Sequence, residues 1–199
     1  MFLAFAVSTR ATTKDSPPSP PPPPPGSRFL RACCANTKNA SICYDSLLPS
    51  AASFHGNRVK VARAASVIAF ARLRSYYDEL RRLQPGGTGA GRVPDMALGS
   101  CATFASDSLG REGDLLAKLG RLETAAGRRR GEHARWDLND ANLDVSSVMS
   151  CTTECIDDYA SIGGDAVLAS PIVKKVVAWA KIVHVYGEIA LHLVASIEL

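Results

Sequence analysis

The sequence predicts an all-α fold: an antiparallel up-down-up-down four-helix bundle preceded by a short disulfide-clamped helical hairpin. Three observations predict it. Of 199 residues, 46% are apolar but only 7% aromatic, and the abundance of alanine and leucine favours packed helices over a sheet rich in valine, tyrosine and threonine. Long stretches repeat apolar residues in steps of three and four, as a buried helix face requires. Six cysteines in so small a chain point to an oxidising compartment, where bridges persist. The length fits one domain of about 100 to 200 residues, divided into a leader with a spacer (1–27) and a folded part (28–199) made of a hairpin (28–50) and a bundle (57–199).

Residues 1–7, MFLAFAV, are apolar but lack the basic start of a signal peptide, and read as one that is degenerate or truncated. Residues 16–25, SPPSPPPPPP, have neither the N–H groups nor the apolar side chains of a packed element and form a stiff polyproline II spacer. The sequence turns globular at Arg28. On one continuous helix Cys34 and Cys43 would lie about 13 to 14 Å apart, whereas bridged Cα atoms are about 4.4 to 6.8 Å apart. The chain must therefore fold back at Asn36–Asn39, giving a helical hairpin clamped by Cys34 and Cys43.

From Asn57 to Leu83 a long amphipathic helix carries the stripe Val59, Ala62, Ser66, Ala69, Phe70, Leu73, Tyr76, Tyr77, Leu80, Leu83. Its other side, with Arg58, Lys60, Arg63, Arg72, Arg74, Arg81 and Arg82, reads as solvated. The glycine run from Gly86 to Gly91 is a linker, since no strand precedes it and no Lys-Ser/Thr pair follows. Pro94 opens a helix to about Leu122, with Leu98, Cys101, Ala105, Leu109, Leu116 and Leu119 inward and a bend at Gly110 and Gly113. Arg128–Arg130 fall in a polar loop. The next helix begins with Asp137 as its N-cap and turns Ala141, Val145, Val148, Met149, Thr152, Cys155, Ile156 and Tyr159 inward. Gly163 and Gly164 end it. Pro171 starts the last helix, whose charges (Lys174, Lys175, Lys181, Glu188) break any apolar run of about 18 residues, so it is a buried bundle helix and not a membrane span.

In such a bundle Cys101, near the start of one helix, lies level with Cys151 and Cys155, near the end of the next. Cys155 is the expected partner because it is central in the stripe, whereas Cys151 is offset by about 40°. Cys33 and Cys151 remain unassigned: they bond to each other, link two chains or stay free thiols.

The net charge of +4 is mild and does not indicate nucleic acid. No metal or cofactor is expected, because none of the four histidines stands beside a cysteine pair and no C-x2-C occurs. Neither G-x-S-x-G nor H-E-x-x-H is present, and His184 and His192 read as core or rim residues, so an enzyme is not expected.

Three segments, FLRACCANTKNASICYDSL, ALGSCATFASDSL and DLNDANLDVSSVMSCTTECIDDY, resemble the plant invertase and pectin methylesterase inhibitor family from about Arg28 to the end. Cys34, Cys43, Cys101 and Cys155 match its four disulfide positions; Cys33 and Cys151 depart from its pattern. The resemblance implies a secreted, monomeric inhibitor of the apoplast or cell wall that blocks its enzyme sterically, one to one. Some invertase inhibitors of that family insert a Pro-Lys-Phe segment into the enzyme. Here the comparable stretch is Trp136-Asp137-Leu138-Asn139-Asp140, which favours a pectin methylesterase as partner over an acid invertase. Many such esterases are basic, so the expected contact is the acidic helix, through Asp137, Asp140 and Asp144. A non-inhibitory wall-associated bundle is the remaining reading.

Overall fold

The structure, a computed structural model, describes residues 24–124 and 131–199. The apolar start, most of the proline tract and the arginine run at 128–130 lie outside the described residues. Among those described, all regular structure is helical. The hairpin is α1 (Ser27–Cys34) and α2 (Ala40–Leu47), and the bundle is α3 (Arg58–Leu83), α4 (Arg92–Leu109) with α5 (Glu112–Thr124), α6 (Glu132–Ile162) and α8 (Pro171–Ala195), with a short α7 (Asp165–Ala169) before the last. This is the expected clamped hairpin and bundle.

Helix ends follow local chemistry. Asn57 caps α3, its Oδ1 accepting from the N–H groups of Val59 at 2.8 Å and Lys60 at 3.3 Å. Ser170 caps α8, where Pro171 occupies the first turn without losing a needed donor. The hairpin enters through Gly26, whose φ of 78° is left-handed and whose Cβ position would fall on the carbonyl oxygen of Ala51. Gly26→Ala is accordingly expected to destabilise the protein by more than about 1 kcal/mol, read from urea unfolding; an unchanged midpoint would show that the hairpin entry is not tightly packed.

The bundle is a square in which α3 packs on α4–α5 and α8, and α6 packs on the same two sides. Its register is antiparallel. Tyr159 Oη donates to the Pro94 carbonyl at 3.3 Å, Ser108 Oγ to the Ser147 carbonyl at 3.0 Å, and Lys118 meets Asp144, so positions rise along α4–α5 as they fall along α6. The core is aliphatic, with Leu73, Leu80, Leu98, Leu115, Leu119 and Leu193 fully enclosed beside Phe70, Tyr76 and Tyr159. Helix α8 is long and apolar enough to cross a membrane by length and composition, but α3 and α6 cover its apolar side. It meets α6 at Gly187, where a Cβ would lie 3.1 Å from Met149 Cγ and 3.2 Å from Val148 Cγ1.

Two sequence expectations are corrected. The helix expected from Pro94 to about Leu122 is two helices, broken at Gly110 and Arg111. The buried seven-residue repeat Cys101, Ser108, Leu115, Leu122 crosses the break, leaving Leu109 and Leu116 half-buried at its flank. Helix α6 begins six residues earlier than expected, at Glu132 with Gly131 as N-cap, so Asp137 is not an N-cap but a second-turn residue. The basic side of α3 is solvated as expected, with Arg58, Arg63, Arg72, Arg74, Arg81 and Arg82 all exposed, and it is laced by surface contacts: Lys60 and Arg63 reach Glu123, Arg74 pairs with Glu112, Arg82 with Glu79, and Arg72 stacks over Tyr186. Of these, Arg63 and Arg74 join α3 to α5 and Arg72 joins it to α8.

Candidate functional site

Helix α6 carries the candidate site, and two disulfides define its frame. Cys101 and Cys155 are bridged with Cα atoms 5.1 Å apart, tying α4 to α6, and Cys34 and Cys43 are bridged with Cα atoms 5.7 Å apart across the hairpin. Tyr76 Oη, reaching across the diagonal from α3, lies 2.9 Å from Cys155 Sγ. Burial holds the Tyr76 hydroxyl protonated, and pushes that of Tyr159 up to about 12. These groups hold the inner face of α6 and have no access to solvent.

Cys33 and Cys151 are free thiols and both are buried. Cys151 Sγ faces its own helix, 3.3 Å from the Val148 carbonyl. Burial pushes the thiol up to about 11, with Ser108 opposing the shift, so it stays protonated near neutral pH and is a poor nucleophile. His184, on α8, has its Nδ1 3.2 Å from Thr152 Oγ1 and is a structural contact of the rim. Among the described residues there is no group of three or more His, Cys, Asp or Glu able to hold a metal ion.

The three acids expected to face a partner divide. Asp144 is 6% exposed and accepts from Lys118 Nζ at 2.6 Å, with Arg111 at 3.7 Å. Asp137 is held by Arg121, whose Nε donates at 2.9 Å, and this contact keeps its carboxyl below the ordinary aspartate range. Both acids are turned toward the basic side of α5. Of the three, half-buried Asp140 alone is without an ion pair among the described residues, while Glu154 and Asp157 are exposed further along α6.

The residues around Asp140 are apolar, and periodicity alone had placed them nowhere. Trp136 and Leu143 are each 59% exposed, and with Asp140 they stand at i, i+4 and i+7, one line along the helix. Both fall off the inward stripe on the polar side, which is the signal a sequence reading could have used. Leu143 overhangs a groove of about 410 Å³ between α4 and α6, lined also by Phe104, Ser108, Arg111, Ser147 and Cys151. Exposed tryptophan and leucine beside a shallow groove suit recognition by burial.

Residues 28–192 match the model of the family described as plant invertase/pectin methylesterase inhibitor. An uncharacterized protein of rice (Oryza sativa subsp. japonica) is 40% identical over 129 residues, covering 60% of this chain; the chain spans 54% of that relative's length. A crystal structure of a mutant form of a pectin methylesterase inhibitor from Arabidopsis superposes with a TM-score of 0.60 at 19% identity, over 85% of this chain and 97% of that one. A second structure, of a pectin methylesterase inhibitor from Arabidopsis thaliana, gives a TM-score of 0.44 at 19% identity, over 81% and 95%. At such identity the likeness concerns the fold alone. With the family model spanning most of the sequence, the chain belongs to the plant invertase/pectin methylesterase inhibitor family.

Proposed function

We propose that the protein inhibits a pectin methylesterase of the plant cell wall, secreted as a monomer and binding one to one so that the α6 side of its bundle covers the substrate cleft. It is not itself an enzyme. The observation that carries this choice of target is the unbroken course of α6 from Glu132 to Ile162. The stretch Trp136–Asp140, comparable to the segment that some invertase inhibitors insert, contains no Pro-Lys-Phe and lies within regular helix. A helix side presents a broad surface, which suits covering a cleft rather than threading a loop into it. Two buried disulfides fit an oxidising compartment.

Purified protein assayed against a plant pectin methylesterase and an acid invertase is expected to inhibit the first. Trp136→Ala is expected to weaken that inhibition about 30-fold, corresponding to about 2 kcal/mol for loss of a central aromatic anchor. Asp140→Lys, next to it, should weaken it further toward a basic esterase. Inhibition of invertase alone would replace the target; inhibition of neither enzyme would leave a wall-associated binding or structural protein.

A further inference from the structure

The turn between α1 and α2 carries a motif that inhibition does not use. Asn39-Ala40-Ser41 has the form N-x-S with no proline at the middle position, and of the five asparagines in the chain only Asn39 is followed by a hydroxyl residue two places on. We propose that Asn39 is an N-glycosylation site, carrying an oligosaccharide at the tip of the disulfide-clamped hairpin.

The local structure suits an acceptor. Asn39 is the residue before α2, outside regular helix, with φ −115° and ψ 54°, and Ser41 beyond it is exposed. Its Nδ2 donates to Glu188 Oε2 at 2.9 Å. A primary amide has two N–H groups: one serves Glu188 and the other is replaced on glycosylation, so the modified side chain keeps its contact with α8. Lys38 Nζ, 3.3 Å from Glu188 Oε1, holds the same carboxylate. In the transfer step Asn39 Nδ2 forms a bond to the anomeric carbon of a lipid-pyrophosphate-linked oligosaccharide. The bond from that carbon to the pyrophosphate oxygen breaks, the lipid pyrophosphate leaves with the electron pair, and the amide proton passes to a base of the transferase. Nothing is oxidised or reduced. The Cys34–Cys43 and Cys101–Cys155 bridges imply folding where thiols are oxidised, and secretory glycosylation takes place in that compartment.

The attached sugar would leave the hairpin over a groove of about 390 Å³ formed with α6 and α8, lined by Lys38, Thr153, Asp157, Lys181, His184 and Glu188. That flank of α6 is not the one bearing Leu143 and its groove toward α4. A glycan there leaves the Trp136–Leu143 line uncovered.

The proposal rests on the secretory reading above, and the experiment separates the two. The full chain is expressed in plant cells in two forms, with its own N-terminus and behind a secretory leader, and the protein recovered from the medium is digested for mass spectrometry. In the led form the peptide containing Asn39 is expected to carry an oligosaccharide, and after peptide N-glycosidase to read aspartate at position 39. Asn39→Gln and Ser41→Ala should both abolish the modification, and Ser41→Thr should retain it. Secreted protein with an unmodified Asn39 peptide overturns the proposal. Retention inside the cell of the form with its own N-terminus, while the led form is secreted and glycosylated, counts against the localisation alone and supports the site.

Discussion

Replacing Cys101 and Cys155 together by alanine is expected to lower stability by about 4 kcal/mol, the chain-entropy value for a bridge closing a loop of 54 residues. For a domain of this size each kcal/mol moves the thermal midpoint by about 2 to 4 °C, so the drop should be about 8 to 16 °C. The Cys34–Cys43 bridge closes only nine residues, and its removal should cost about 2.5 kcal/mol. The ordering follows from loop length before any native contact is counted. A contact adds to it, since Tyr76 Oη is buried against Cys155 Sγ and alanine leaves that hydroxyl without its neighbour. Cys101→Ala with Cys155→Ser should therefore be less damaging than the double alanine variant. Circular dichroism melts of the four proteins decide the matter; a larger shift for the hairpin pair than for the bundle pair would mean that the long loop is already restricted in the unfolded chain.

Much of the bundle was legible because its determinants are local and periodic. The stripe of α3 and the inward residues of α6 follow a 3.6-residue repeat, and Ser170-Pro171 and Gly163-Gly164 mark ends by backbone chemistry that does not depend on the partner helix. The Cys34 turn was legible for a metric reason, since a bridge cannot span two and a half turns of one helix. What failed was pairwise. Asp137 and Asp144 look like solvent-facing acids on an isolated α6, and only the register against α5 shows that Arg121 and Lys118 stand opposite them. Asp137 was misread as an N-cap for a related reason: its side chain serves a neighbouring helix and not its own backbone. The arginines of α3 are exposed, as their side of the helix implies, but the pairing of Arg74 with Glu112 and of Arg63 with Glu123 depends on another element and does not show in the periodicity of α3. Periodicity gives which side of a helix faces in; it does not give which charges on the flanks meet.

The correction at Asp144 changes what a substitution there should measure. Asp144→Ala leaves Lys118, whose side chain is only 17% exposed, without its partner in a water-poor site. Breaking a buried pair from one side costs about 3 to 5 kcal/mol; because the lysine stem lets its ammonium move toward water, the lower end, about 3 kcal/mol, is expected. Adding Lys118→Met removes the stranded charge while keeping the stem's volume, and should restore most of that loss. Asp140→Lys, by contrast, disturbs no ion pair among the described residues and should change stability by less than about 0.5 kcal/mol. The three variants thus separate folding from recognition. If Asp144→Ala weakened inhibition while its urea midpoint stayed that of the parent, the carboxylate would be facing the enzyme and not Lys118. If instead both fell together and Lys118→Met rescued both, Asp144 contributes to inhibition by holding α5 against α6, and contact with the enzyme is left to Trp136, Asp140 and Leu143.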